Sequence, residues 1–239
     1  MSAPAVVNAE RIKLFTTRST LWSAAAVAVL SLGLAALQAS TATGPGSVPP
    51  EKAAMGVAVF GVPALMILSA LTVTNEYRNG LIRTTFAAVP NRALVLTAKA
   101  VVAAVFSGAY AAVMTMASIV VAQSDPSDWR LVGAIALYAM LAAVLGVAVG
   151  ALLRASAGAV ALLLLWPMVA EPLLGNMPNL SPKIGPYLPF GNAFRFLDVQ
   201  WLYPYYAMPW GPVGSIGYFA VVVAAVFVAA LVMINRRDA

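Results

Sequence analysis

Residues 74–92 read TNEYRNGLIRTTFAAVPNR. This stretch carries Glu76, Arg78, Arg83 and Arg92 and is punctuated by Gly80 and Pro90. The runs on either side, 53–73 and 100–122, are apolar and long enough to cross a hydrocarbon core, which takes about 20 residues at about 1.5 Å each. A polar segment between two membrane-length runs decides the fold class: an all-α integral membrane protein, with 74–99 as the loop between its second and third crossings.

Composition says the same. The chain has 239 residues, 62% hydrophobic and 9% charged, where a soluble domain of this size carries roughly 25% charged residues. It contains neither Cys nor His, which excludes disulfides, thiol nucleophiles, His-ligated metals and imidazole acid–base chemistry. The formal charge of +6 reads as the basic residues that orient membrane loops rather than as a nucleic-acid surface.

Six crossings are expected, at about 20–38, 53–73, 100–122, 131–153, 157–174 and 213–234, in one transmembrane domain spanning 1–239. With the N-terminus in the cytoplasm, ten of the 14 Lys and Arg residues fall on the inner side. That positive-inside bias and the even number of crossings place both termini in the cytoplasm. The first crossing reads as retained rather than cleaved, because its apolar stretch is longer than that of a signal peptide and its polar leader is patterned. The leader, ERIKLFTTRSTLW, spaces Ile12, Phe15, Ser19 and Trp22 along one helical face, with Glu10, Lys13 and Thr17 on another. This fits a short interfacial helix over about 8–19, or an ordinary basic flank.

The third outer loop, 172–212, holds eight of the 16 prolines and nine of the 22 aromatics. That is too aromatic for a bare connector, and an interfacial or re-entrant helix is expected there. In NAFRFLDVQW, Phe194, Leu197 and Trp201 share a face, Asn192 serves as N-cap, and Arg195 and Asp198 are spaced to pair.

Several chemistries are missing. There is no G-x-x-x-x-G-K-[ST] phosphate loop, no G-x-S-x-G elbow and no H-E-x-x-H motif. The chain is therefore expected to be no enzyme by itself, with no catalytic residue, metal site or bound cofactor. Lys99, Arg130, Arg154 and Glu171 fall at the ends of crossings, where snorkelling relieves their cost, so no ion-coupling carboxylate lies at mid-membrane. Energy for uphill transport would have to come from another chain. From Asn75 to Ala88 the pattern supports an amphipathic helix, with Tyr77, Leu81 and Ala88 near one face and Glu76, Asn79 and Arg83 near another. Gly80 weakens it by about 1 kcal/mol relative to Ala, and Pro90 ends it. A plain basic anchor accounts for the arginines. A docking surface also accounts for Glu76, Tyr77 and the length of the excursion, when the other internal loop, LLRASAG, is so short.

The run TNEYRNGLIRTTFAAVPNRALVLTAKA, preceded by the leader ERIKLFTTRSTLW, resembles the membrane subunits of ABC-2 type ABC transporters, especially small six-crossing permeases of bacterial, often actinobacterial, exporters. The resemblance implies an elbow helix in the leader, a cytoplasmic coupling helix between crossings 2 and 3, and short outer helices between crossings 5 and 6. It also implies a location in the bacterial plasma membrane, a second permease subunit (identical or paralogous) and two copies of a cytoplasmic ATPase that binds ATP and Mg. Carried over by position, Glu76, Tyr77, Arg78, Asn79, Gly80, Leu81, Arg83 and Thr84 are expected ATPase contacts. Phe190, Phe194, Leu197 and Trp201 are expected outer-gate residues.

Met55, Phe60, Met66, Trp166 and Met168 offer adaptable apolar surfaces for an amphipathic or hydrophobic substrate such as a drug, antibiotic, peptide or lipid, or else simply pack and face lipid. Glu171 would contact a cationic group in an outer vestibule, or lie solvated at the interface. Gly146 and Gly150 form a small-xxx-small pair suited to close helix packing, within the chain rather than at a dimer seam. Two other function classes share these features: a membrane anchor that recruits a cytoplasmic partner through 74–99, and a passive channel.

Overall fold

The structure, a computed structural model, describes residues 2–42, 48–125, 129–199, 203–204 and 208–236. The helices among them are α1 (Ala3–Thr16), α2 (Arg18–Ser40), α3 (Pro50–Arg78), α4 (Leu81–Ala88), α5 (Arg92–Val121), α6 (Trp129–Leu153), α7 (Ser156–Gly175), α8 (Ser181–Ile184), α9 (Pro189–Leu197) and α10 (Pro212–Arg236). Six of these, α2, α3, α5, α6, α7 and α10, are long and apolar enough to cross a membrane. No strand occurs among the described residues. This is the architecture of a multi-pass membrane protein, and the six spans coincide with the six expected crossings.

The spans are not equivalent. In α3 and α6, 72% and 67% of the apolar window is buried, against 22% in α2 and α10. So α3 and α6 form the axis of the bundle. The outer helices leave side chains such as Trp22, Val29, Val213 and Val221 uncovered, as expected where hydrocarbon is the solvent. Glycine lets the two central helices touch. A Cβ on Gly146 would collide with the carbonyl of Met66, and one on Gly150 would sit 2.7 Å from the carbonyl of Ala70. The small-xxx-small pair is thus a seam inside the chain, where backbone approach replaces the hydrophobic drive that lipid cannot supply.

Two spans contain a π-helical turn, Val57–Gly61 in α3 and Trp166–Ala170 in α7. Pro63 lies just beyond the first and Pro167 within the second. A proline removes an N–H from the helical ladder, and a widened turn takes up the mismatch.

The ends of the helices are fixed by local chemistry. Asn91 caps α5 by accepting from the Leu94 N–H at 3.0 Å, a standard N-cap. At the corner between α1 and α2, Thr17 is extended, and the buried Thr20 hydroxyl donates to the Leu14 carbonyl at 2.7 Å. That bond satisfies one of the orphaned carbonyls at the end of α1.

The expected helix over Asn75–Ala88 is broken. Gly80 is left-handed, at φ 70°, in the conformation that terminates helices and that glycine adopts without a Cβ penalty. It ends α3 and starts α4 in a new direction, so it is a hinge between two helices rather than a weak point in one.

Candidate functional site

The end of the bundle that carries α1 brings together four charges from three helices. Lys99 of α5 donates to Glu10 Oε2 of α1 and to Glu76 Oε1 of α3, both at 2.7 Å. Lys13 donates to Glu10 Oε1 at 2.8 Å and to Glu76 Oε1 at 2.9 Å. The result is a closed square of alternating sign. Lys99 is 4% exposed and Glu10 6%, so the snorkelling expected of Lys99 does not occur. Its α5 position is too far inside the helix start at Arg92, about 10 Å at 1.5 Å per residue, and two carboxylates meet it there.

Glu10 was expected on a different helical side from Ile12 and Phe15, and the covered side is that of Glu10: α1 turns Val6, Glu10 and Leu14 inward and leaves Ile12 and Phe15 exposed. Burial works against the Lys13 ammonium. Its bonds to Glu10 and Glu76, and their charge, outweigh that and hold its pKa above the usual lysine value of 10.5. The contribution of a raised lysine is complete below 10.5 and is lost only as pH climbs through the higher folded value.

Of the residues expected to contact an ATPase, the structure separates two groups. Glu76 is buried in the ion square, and Tyr77 is half-buried with the Arg154 guanidinium 4.8 Å from its ring centre. Arg78, Asn79, Gly80, Leu81, Arg83 and Thr84 are exposed. In α4 the buried residues are Ile82 and Phe86, one helical turn apart, rather than the expected Tyr77–Leu81–Ala88 face. Arg92 ties this helix down, stacking 5.2 Å from the centre of the Phe86 ring and donating to the Ile234 carbonyl of α10 at 3.2 Å. Beside the square, between α1, the start of α2, α3, α4 and α5, lies a cavity of about 400 Å³.

The opposite end of the bundle is organised by Glu171. It is 0% exposed, so the solvated reading of this carboxylate does not hold. It accepts from Trp166 Nε1 at 2.8 Å, the Phe190 N–H at 2.9 Å and the Gly191 N–H at 3.2 Å. The last two are the free amides at the start of α9, where a helix N-terminus favours a negative charge. Pro189 sets that start, and Leu188 in the cap position has no side-chain acceptor, so a carboxylate from α7 fills the role.

Asn192 is therefore not the expected cap. It lies inside α9, donating to the Pro186 and Leu188 carbonyls at 2.9 Å each and accepting from Trp210 Nε1 at 2.8 Å. Phe190, Phe194 and Leu197 are buried within an aromatic group that includes Tyr138 and Phe219. Trp201 lies outside the described residues. Arg195 and Asp198 form no ion pair among them; Asp198 instead closes α9 in a left-handed conformation. Replacing Glu171 by Leu leaves three donors without an acceptor, at about 1–3 kcal/mol each, while Glu171→Gln keeps one carbonyl acceptor. Thermal unfolding in detergent should show the Leu variant clearly lower than the Gln variant. Equal losses would mean that the acceptor is not what holds α9.

Among the other expected path residues, Met66 is fully buried, Met55, Phe60 and Met168 are partly buried and Trp166 is exposed. The structure does not gather them into one surface. Sequence reasoning missed Glu10, Lys13 and Lys99 as a unit. The available signal was the scarcity of acids: with only eight Asp and Glu residues, a glutamate at a membrane boundary needs a partner.

Comparison with models of known families gives no match to this chain. Comparison with curated proteins gives no match either.

Proposed function

We propose that the chain is the transmembrane subunit of an ATP-driven ABC exporter of the ABC-2 type, working with a second permease subunit and two copies of a separate ATPase. The observation that carries this reading is α4. It is a short helix between two spans whose apolar side, Ile82 and Phe86, is anchored in the bundle, and whose other side, with Leu81, Arg83 and Thr84, is open. A helix held that way can pass on a push from a partner as a rigid-body movement of the spans behind it.

In this reading the α1 end is cytoplasmic, following the positive-inside bias, in a bacterial plasma membrane. Then α1 is the elbow helix, α4 the coupling helix, and α8 and α9 the outer helices that gate the exit. The motor binds ATP and Mg, since the sequence has no phosphate loop. An amphipathic or hydrophobic substrate suits spans so poor in charge. The ion square ties α1, α3 and α5 together, and Glu76 stands four residues before Gly80 on α3, so a displacement of Gly80–Ala88 passed along α3 reaches three helices at once.

Arg83→Glu reverses an exposed charge on α4 without touching the core. It should lower transport-linked ATPase activity about tenfold, the effect of about 1.4 kcal/mol at a docking contact, with membrane insertion unchanged. Full coupled activity in that variant would remove α4 as the motor contact. Co-purification supplies the independent check. An ATPase recovered in equal amount supports the exporter, a non-ATPase partner points to an anchor, and no partner together with conductance in planar bilayers points to a channel.

A further inference from the structure

We propose that the cavity beside the ion square binds the headgroup of an anionic phospholipid, taking its phosphate between Arg78 and Lys13 and its headgroup hydroxyls against threonine oxygens. This assignment stands whether or not the chain transports anything.

The position of the cavity fits a lipid. Its wall follows α3 from Arg78 and Asn79 at the helix end back to Leu68, about 15 Å of helix at 1.5 Å per residue. Along α3 the lining passes from Leu68 and Leu71 through Thr72, Asn75 and Glu76 to Arg78 and Asn79. That gradient, polar at the membrane boundary and apolar within, matches a headgroup followed by the first acyl carbons. Basic pockets between spans at a membrane surface take anionic headgroups in general. A volume of about 400 Å³ is within the range of about 300–1,000 Å³ common to small-molecule sites.

The accessible charge is positive even though two acids lie in the wall. Glu10 and Glu76 are committed to Lys13 and Lys99 inside the square. Arg78 is exposed and has no carboxylate partner among the described residues. Lys13 keeps 45% of its side chain accessible. The square sums to zero, so the wall carries a net charge of +1 from Arg78, and Lys13, with two of its three N–H groups spent on Glu10 and Glu76, has one left to donate to a phosphate oxygen.

The hydrogen-bonding groups specify more than a charge. The hydroxyls of Thr84 and Thr85 donate to the Leu81 carbonyl, at 2.8 and 3.1 Å, and that of Thr72 to the Ser69 carbonyl at 2.7 Å. With their protons committed, these oxygens offer a ligand lone pairs. The amides of Asn75 and Asn79 also line the cavity and supply N–H donors. A headgroup with both a phosphate and free hydroxyls, as in phosphatidylglycerol, uses both sets. The trimethylammonium of phosphatidylcholine offers no donor to the threonines and places a cation beside Arg78.

Native mass spectrometry of the purified full chain, titrated with lipid in detergent, tests this. Phosphatidylglycerol should be retained one per chain, at least about tenfold more tightly than phosphatidylcholine. Arg78→Ala should weaken retention about tenfold, the effect of about 1.4 kcal/mol. Arg11→Ala, which removes the same charge from the same end of the bundle but outside the cavity, should change it less than about twofold. Asn79→Leu repeats the test at the cavity mouth without altering net charge and should also weaken retention. Equal effects of Arg78→Ala and Arg11→Ala would reduce the interaction to diffuse attraction and overturn the site. Equal retention of the two lipids would overturn the headgroup assignment. Soluble glycerol 1-phosphate bound as tightly as phosphatidylglycerol would make the ligand a free phosphate ester and overturn the lipid.

Discussion

Lys99→Met should destabilise the folded chain by about 3–5 kcal/mol, the loss that follows when one member of a buried ion network is removed and the opposite charges stay behind. Lys99 makes the two 2.7 Å contacts of the square, and without it Glu10 and Glu76 would share the half-exposed Lys13 alone. The two carboxylates would then repel each other in a poorly solvated place. The distinguishing measurement is a double-mutant cycle. Adding Glu76→Gln to Lys99→Met removes one of the stranded charges and should restore more than half of the lost stability, as read by thermal unfolding in detergent. Additive losses would show that Lys99 acts through packing and not through charge.

Gly146→Val should be at least as damaging, for a different reason. The new Cβ would fall on the carbonyl of Met66, a backbone atom that no rotamer change can move. Either α6 withdraws from α3 along the central seam or the strain stays in place. Overpacking of this kind costs about 1–3 kcal/mol even where side chains can yield, so a backbone collision should exceed that range and deplete folded protein on expression. Gly133→Val, on the same helix with nothing within 4 Å of its Cβ position, should be tolerated. The contrast between the two, scored as monodisperse yield, separates a packing seam from a general intolerance of α6 to β-branched residues.

The six spans were legible because hydropathy over about 20 residues depends only on the solvent a segment faces, not on its neighbours. The buried face of α9 was legible for the same reason: Phe194 and Leu197 stand at helical spacing. What could not be read was any property set by a distant residue. The position of Lys99 near a helix start is compatible with snorkelling until α1 delivers Glu10, 89 residues earlier in the chain. Glu171 looks solvated until the start of α9, about 19 residues later, presents amides without a cap. Gly80 was weighed as a helix residue, by propensity, when its left-handed conformation makes it a terminator. The seam at Gly146 and Gly150 was visible as a pattern, while its partner, α3, was not.

The ion square also bears on how the chain enters its membrane. Glu10 and Lys13 are three residues apart on α1, and Glu76 and Lys99 face each other across the hairpin of α3 and α5. Each half is neutral on its own. Glu10 and Lys13 of the leader are made before the hairpin and already match each other, and the hairpin can close its own pair before the leader docks. Neither pair then has to be accepted by the bilayer as a lone buried charge, a burden that otherwise disfavours insertion of such residues. The join between the two halves is an exchange of partners, and it can be made after both have been delivered.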